Sequence, residues 1–152
     1  ESSTRSLGGA VANLLCAQLL GGGAALPRGL LLQATFASMR EAALNYPLAR
    51  PFTWLPGVSE AFDSLWEDKY PGAEALARTA AQGLPVLIVH GSSDEVIDTW
   101  HAHRLREVVE KAQPGAAGEA SRLVIIEGGT HSDLENTHAP QLAREVLRWL
   151  RQ

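Results

Sequence analysis

The chain has 152 residues, 45% of them hydrophobic and 20% charged, with a formal net charge of −4. That length suits one domain with a real core. The balance of apolar and charged residues excludes a disordered chain, and the acidic surplus leaves no electrostatic footprint for nucleic acid. No run of about 20 apolar residues is present to span a bilayer. The single cysteine, Cys16, excludes an internal disulfide framework.

The first segment of interest is Thr4-Arg5-Ser6-Leu7-Gly8-Gly9. It follows the pattern G-x-S-x-G, in which a serine sits on a sharp strand-to-helix turn with its hydroxyl exposed above a sheet. Gly8 supplies the second small position, and Thr4 stands where the first glycine belongs. Residues Leu7 to Leu20, rich in Ala and Leu, read as a helix stopped by Gly21-Gly22-Gly23. Cys16 falls inside that apolar stretch and reads as a core residue, since no electropositive setting surrounds it. Leu30 to Gln33 reads as a short buried strand.

Residues 37–70 change character. They carry Tyr46, Phe52, Trp54, Phe62, Trp66 and Tyr70 with no clean period, and read as an irregular, partly helical insertion over one end of a sheet. Two roles stay open for it, a lid over an acyl pocket or ordinary core packing. Glu74 to Gln82 reads as a short helix. Pro85 to Gly91 is the clearest strand, β-branched and ended by glycine. Trp100 to Ala112 reads as an amphipathic helix, Gln113 to Ser121 as a flexible loop, and Arg122 to Glu127 as another buried strand followed by Gly128-Gly129. Pro140 to Arg151 closes the chain as a helix with Leu142, Val146, Trp149 and Leu150 on one face. Strands alternating with helices predict an α/β architecture with a mostly parallel sheet.

In such a sheet, functional groups collect at the carboxyl ends of the strands. Ser6, Asp94 and His131 all fall at such ends, in the order Ser…Asp…His. A serine hydroxyl needs a neutral imidazole to take its proton during attack, and a carboxylate to fix the tautomer of that imidazole. Each residue also has a plainer reading. Ser6 can cap the following helix, Asp94 can form a turn after Ser92-Ser93, and His131 can bond loop backbone. Glu95 and Asp98 are rival acids, and His138 is a rival base. Asp133 reads as a brace for the His131 loop. His101 and His103 form an H-x-H pair, but a helix does not bring i and i+2 together and no carboxylate or cysteine stands at metal spacing, so no metal site is expected.

Ser6-Leu7-Gly8-Gly9, Pro85-Val86-Leu87-Ile88-Val89-His90-Gly91-Ser92-Ser93-Asp94 and Gly128-Gly129-Thr130-His131-Ser132-Asp133 together resemble the α/β-hydrolase superfamily. Within it, the chain is similar to the α/β-hydrolase-domain proteins that include membrane-anchored serine hydrolases, lysophospholipases and acyl-protein thioesterases. The resemblance implies a serine hydrolase of carboxylic esters or thioesters, acyl and lipid substrates among them, working without a cofactor. It implies Ser6 as nucleophile, His131 as base, Asp94 as acid and the Leu7 N–H as an oxyanion donor. The chain departs from the pattern at Thr4, and at Asp98, where many relatives carry proline.

The resemblance further implies one domain over 1–152 that is N-terminally truncated. About three strands are expected, starting near Leu30, Val86 and Leu123, flanked by helices. Residues 1–5 do not read as a buried strand, so the serine-bearing strand and the loop giving a second oxyanion donor are expected to be missing. Any membrane anchor would lie in that missing part. A catalytically incompetent fragment or a non-catalytic binding domain is the alternative expectation. An acyltransferase on the same fold is a third.

Overall fold

A computed structural model describes residues 2–46, 50–52, 54–58, 71–114 and 121–151, with the backbone alone for 2–5 and 50. Four strands form one sheet in the order β1 (Ser2–Arg5), β2 (Leu30–Gln33), β3 (Val86–Gly91), β4 (Arg122–Ile126), every neighbour parallel. The helices are α1 (Leu7–Gly21), α2 (Met39–Asn45), α3 (Gly72–Ala80), α4 (Trp100–Ala112) and α5 (Ala139–Leu150). A 3-10 turn covers Arg50–Phe52.

The three strands announced by apolar runs are present. A fourth joins them: Ser2–Arg5 pairs in parallel with Leu30–Gln33, so the segment before Ser6 is a strand and the serine-bearing strand is not missing. Its sequence holds no apolar residue and therefore gives no hydropathy signal. Backbone hydrogen bonds to the edge of β2 define it instead.

Side-chain alternation builds the two layers. Leu30, Leu32, Val86 and Ile88 face one side of the sheet, where Cys16 of α1, Leu76 of α3 and Leu105 of α4 pack on them. Leu31, Leu87 and Val89 face the other, against Trp149, Leu142 and Val146 of α5. Strands β2 and β3 are buried on both faces, which is why they read as continuous apolar runs. Cys16 is 3% exposed, and burial raises its thiol pKa, as a core cysteine should show. At the carboxyl end of the sheet, Ala10, Phe36, Ala42 and Ile97 form a third small cluster. It ties the first turn of α1 to α2 and to the loop after β3.

The insertion is helical in part, with α2 at its start. Ser38 opens that helix by accepting the Glu41 N–H at 3.4 Å. Phe62, Trp66 and Tyr70 lie outside the described residues, as does most of the loop expected over Gln113 to Ser121. Trp54 is 76% exposed, which removes that side chain from core packing. One stripe of α1 also faces outward: Leu7, Val11 and Leu15, spaced i, i+4, i+8, are each about half exposed. Among the described residues no helix is long and apolar enough to cross a membrane.

Candidate active site

Ser6 is the turn between β1 and α1. Its backbone has φ 53° and ψ −121°, a region that residues other than glycine rarely occupy. The Ser6 N–H donates to the Gln33 carbonyl at 3.0 Å, extending the β1–β2 ladder by one residue. Its carbonyl accepts the N–H groups of Gly9 at 3.1 Å and Ala10 at 3.4 Å, which opens the helix. The hydroxyl makes no capping hydrogen bond. The plainer reading of Ser6 as a helix cap therefore fails on the group that would have to do the capping. The N–H groups of Leu7 and Gly8, in the first turn of α1, have no intrahelical acceptor.

Asp94 stands in the loop after β3. One carboxylate oxygen accepts two backbone bonds, from Val96 at 2.9 Å and Ile97 at 2.8 Å. The other accepts the His131 Nδ1–H at 2.8 Å. The side chain has no solvent exposure. Burial alone would raise its pKa, but the bonds from His131, Ile97 and Val96 outweigh that and hold it below the usual carboxylate value. With Nδ1 donating to a carboxylate, the neutral His131 ring keeps a lone pair on Nε2.

The Asp94 and His131 loops meet because glycine lets them. A Cβ on Gly91 would collide with the backbone of Gly129. In its absence the loops are stitched together by Ser93 N–H to Gly129 O at 2.9 Å, Ser92 N–H to Ile126 O at 3.0 Å and Gly128 N–H to Ser92 Oγ at 2.9 Å. Asp133 braces the His131 loop, accepting the Thr130 N–H at 2.8 Å.

The rival residues are placed elsewhere. Glu95 is exposed, and Asp98 is exposed with one oxygen on the Trp100 N–H at 2.9 Å, at the start of α4. His138 lies 3.9 Å from Asp133 rather than beside Asp94. His101 and His103 do not converge. His101 is fully buried, its Nδ1 accepting the Ala37 N–H at 3.3 Å, while His103 is exposed. Burial lowers the His101 pKa to about 4, so its ring is neutral near pH 7.

Two further residues reach the candidate site without having been singled out in the sequence. Thr35, 3% exposed, donates its hydroxyl to the Ser6 carbonyl at 2.7 Å. His90, fully buried, places Nε2 3.8 Å from the Asp94 oxygen that His131 uses. Burial lowers the His90 pKa and keeps it uncharged. Their only signal in the sequence is a polar residue at or just past the end of an apolar strand.

No family model matches the chain. An uncharacterized protein of Mycobacterium tuberculosis is 32% identical over 146 residues, covering 95% of this chain and 42% of that protein. Protein ABHD12B of Homo sapiens is 29% identical over 108 residues, covering 69% of this chain and 28% of that protein. The chain thus spans less than half the length of the curated relatives it matches. Among solved structures, the meta-cleavage product hydrolase of Pseudomonas fluorescens superposes with a TM-score of 0.58 at 16% identity, over 98% of this chain and 63% of that one. Carboxyl esterase 2 of Tuber melanosporum gives 0.62 at 14% identity, over 95% and 50%. An alpha/beta hydrolase enzyme from a lagoon-sediment metagenome gives 0.55 at 16% identity, over 97% and 60%.

Proposed function

From the premise that this chain carries part of the α/β-hydrolase fold, we propose that it is the triad-bearing part of a serine hydrolase acting on carboxylic esters or thioesters. The observation that carries this reading is the 2.8 Å bond from His131 Nδ1 to the buried Asp94 carboxylate, at the same sheet end as the Ser6 elbow.

In the proposed reaction, His131 Nε2 takes the Ser6 hydroxyl proton as Oγ attacks the carbonyl carbon. Asp94, ionised below the usual carboxylate value, holds the ring in the required tautomer and stabilises the imidazolium. The Leu7 N–H, at the positive end of α1, receives the developing oxyanion. The imidazolium then protonates the departing alcohol or thiol, and water attacks the acyl-enzyme with His131 again as base. Substitution of an alcohol or amine for that water would make the same site an acyltransferase. No cofactor enters. Residues 37–70, with α2 at their base, are proposed as a lid over an acyl group.

A second reading has its own support. Among the described residues, no hydrogen bond joins the Ser6 hydroxyl to His131. That favours a catalytically incompetent fragment, or a domain that binds without turnover. One experiment separates the two. The 152-residue chain is treated with a fluorophosphonate probe beside Ser6→Ala, His131→Ala and a heat-denatured control. Labelling that requires both residues supports the hydrolase. A folded chain that takes no label supports the second reading.

A further inference from the structure

Ser6 is one of two non-glycine residues with positive φ among the described residues, and the other is Ala34, at φ 45°. They are neighbours: Arg5 pairs with Gln33, so Ser6 and Ala34 are the next pair past the ends of β1 and β2. Ala34 is fully buried and its N–H is spent on the Val89 carbonyl at 2.9 Å. Its left-handed backbone turns the chain sharply just before Thr35. The Thr35 hydroxyl then meets the Ser6 carbonyl at 2.7 Å, out of contact with bulk solvent. Two strained turns are thus clamped to one another by Ser6 N–H to Gln33 O on one side and Thr35 Oγ1–H to Ser6 O on the other.

The consequence lies in the geometry of one peptide group. The Ser6 carbonyl and the Leu7 N–H belong to the same planar trans unit, so fixing the direction of one fixes the opposite direction of the other. We propose that Thr35 is a positioning residue for the oxyanion donor. By holding the Ser6 carbonyl from beneath, it aims the Leu7 N–H above the strand ends. A hydrogen bond accepted at the carbonyl also polarises the amide, which strengthens the N–H as a donor. The Gly9 and Ala10 N–H groups reach the same carbonyl from the helix side. Thr35 is the contact that comes from the segment just past β2, and so it ties the donor to the buried end of that strand. This inference rests on the proposed serine-hydrolase reading for its chemical meaning, while the clamp itself is a matter of backbone geometry.

The test compares Thr35→Val, which keeps the shape and removes the hydroxyl, with Thr35→Ser, which keeps the hydroxyl. The readouts are hydrolysis of p-nitrophenyl butyrate, inhibition by a trifluoromethyl ketone that forms a tetrahedral adduct, and the Leu7 amide resonance by NMR. Outright loss of an oxyanion donor typically costs about 10²–10³ in rate, and a donor that is present but poorly aimed should cost less. Thr35→Val is expected to lower kcat about 10-fold with KM little changed, to weaken the ketone by a similar factor, and to shift the Leu7 amide. Thr35→Ser is expected to restore all three. Unchanged kcat and ketone affinity in Thr35→Val, or no rescue by Thr35→Ser, overturns the proposal. Failure of the hydrolase reading shows differently, as a wild-type chain without turnover. The Leu7 amide then decides alone: a shift in Thr35→Val that Thr35→Ser lacks upholds the clamp, and an unmoved resonance rejects it.

Discussion

The two arms of the candidate site are held by opposite means. The acid–base arm, on β3 and β4, is relaxed and redundant. Asp94 accepts three hydrogen bonds at 2.8–2.9 Å, and glycine backbones let the two loops touch. The Ser6 arm, on β1 and β2, is strained and tied through its backbone, Ser6 donating to Gln33 and accepting from Gly9, Ala10 and Thr35. Among the described residues, Ser6 and Ala34 are the non-glycine residues at positive φ, and the Ser6 hydroxyl makes no capping bond. On the proposed serine-hydrolase reading, the difference follows from what each group would have to do. A carboxylate that only orients a ring gains from being immobilised and saturated with donors. On that reading Ser6 keeps its hydroxyl free for His131 and takes its position from the backbone, where strain of this kind costs on the order of 1–3 kcal/mol per residue.

Breaking the acid–base arm should have the largest effect. Asp94→Asn keeps the shape but favours the wrong tautomer of His131, and should lower kcat by about 10⁴-fold while leaving ester binding nearly intact. Single-turnover kinetics on p-nitrophenyl esters would check it. If Asp94→Asn retained near-normal turnover, the pairing of Asp94 with His131 would be structural only.

Outside both arms, stability should depend on pH. His101, in the first turn of α4, has its pKa depressed to about 4 in the folded chain by burial. The unfolded chain takes up a proton near pH 6.5, where the folded chain does not. Stability is therefore complete above about pH 6.5 and falls as pH drops toward 4, by on the order of 3 kcal/mol, levelling off below. Urea melts followed by circular dichroism across that range should show the loss. His101→Gln should reduce it, with buried His90 contributing a remainder of the same sign, and an unaltered slope in that variant would assign the acid sensitivity elsewhere.

A smaller effect tests the glycine contact. Gly91→Ala places a methyl against the Gly129 backbone and should destabilise by about 1–3 kcal/mol. It should also loosen the Asp94–His131 pair, visible as slower labelling by the fluorophosphonate probe. The smallest effect has the opposite sign. Ser6→Gly removes the proposed nucleophile yet relieves the strain at φ 53°. The gain from relieved strain exceeds the added freedom of glycine in the unfolded chain by about 1 kcal/mol. A melting temperature that falls in Ser6→Gly would show that the elbow is not strained.

The same contrast explains what the sequence discloses. The acid–base arm is written in local patterns. Strands β3 and β4 read as apolar runs, and Asp94 and His131 follow them in glycine-marked loops, so the strands and the meeting of these two loops are legible. The nucleophile arm is written in backbone conformation. Nothing in Ser-Ser-Thr-Arg signals a strand, because β1 exists through its pairing with β2. Thr35 and Ala34 look like any residues past a strand end, since their part depends on a neighbour nearly thirty positions away. His101 illustrates the remaining gap. Next to His103 it invites comparison with a metal pair, and only the packing of α4 shows it buried and bonded to the Ala37 amide.

The outward stripe of Leu7, Val11 and Leu15 bears on how this protein should be handled at the bench. Environment-sensitive dyes such as ANS report exposed apolar surface, and their brightness is commonly taken as the mark of a molten state. This chain presents such a surface while folded. Its fluorescence baseline in a dye-based melt should begin high and its transition should be shallow. A variant that dims the dye by changing Val11 to a polar residue would look stabilised without being so.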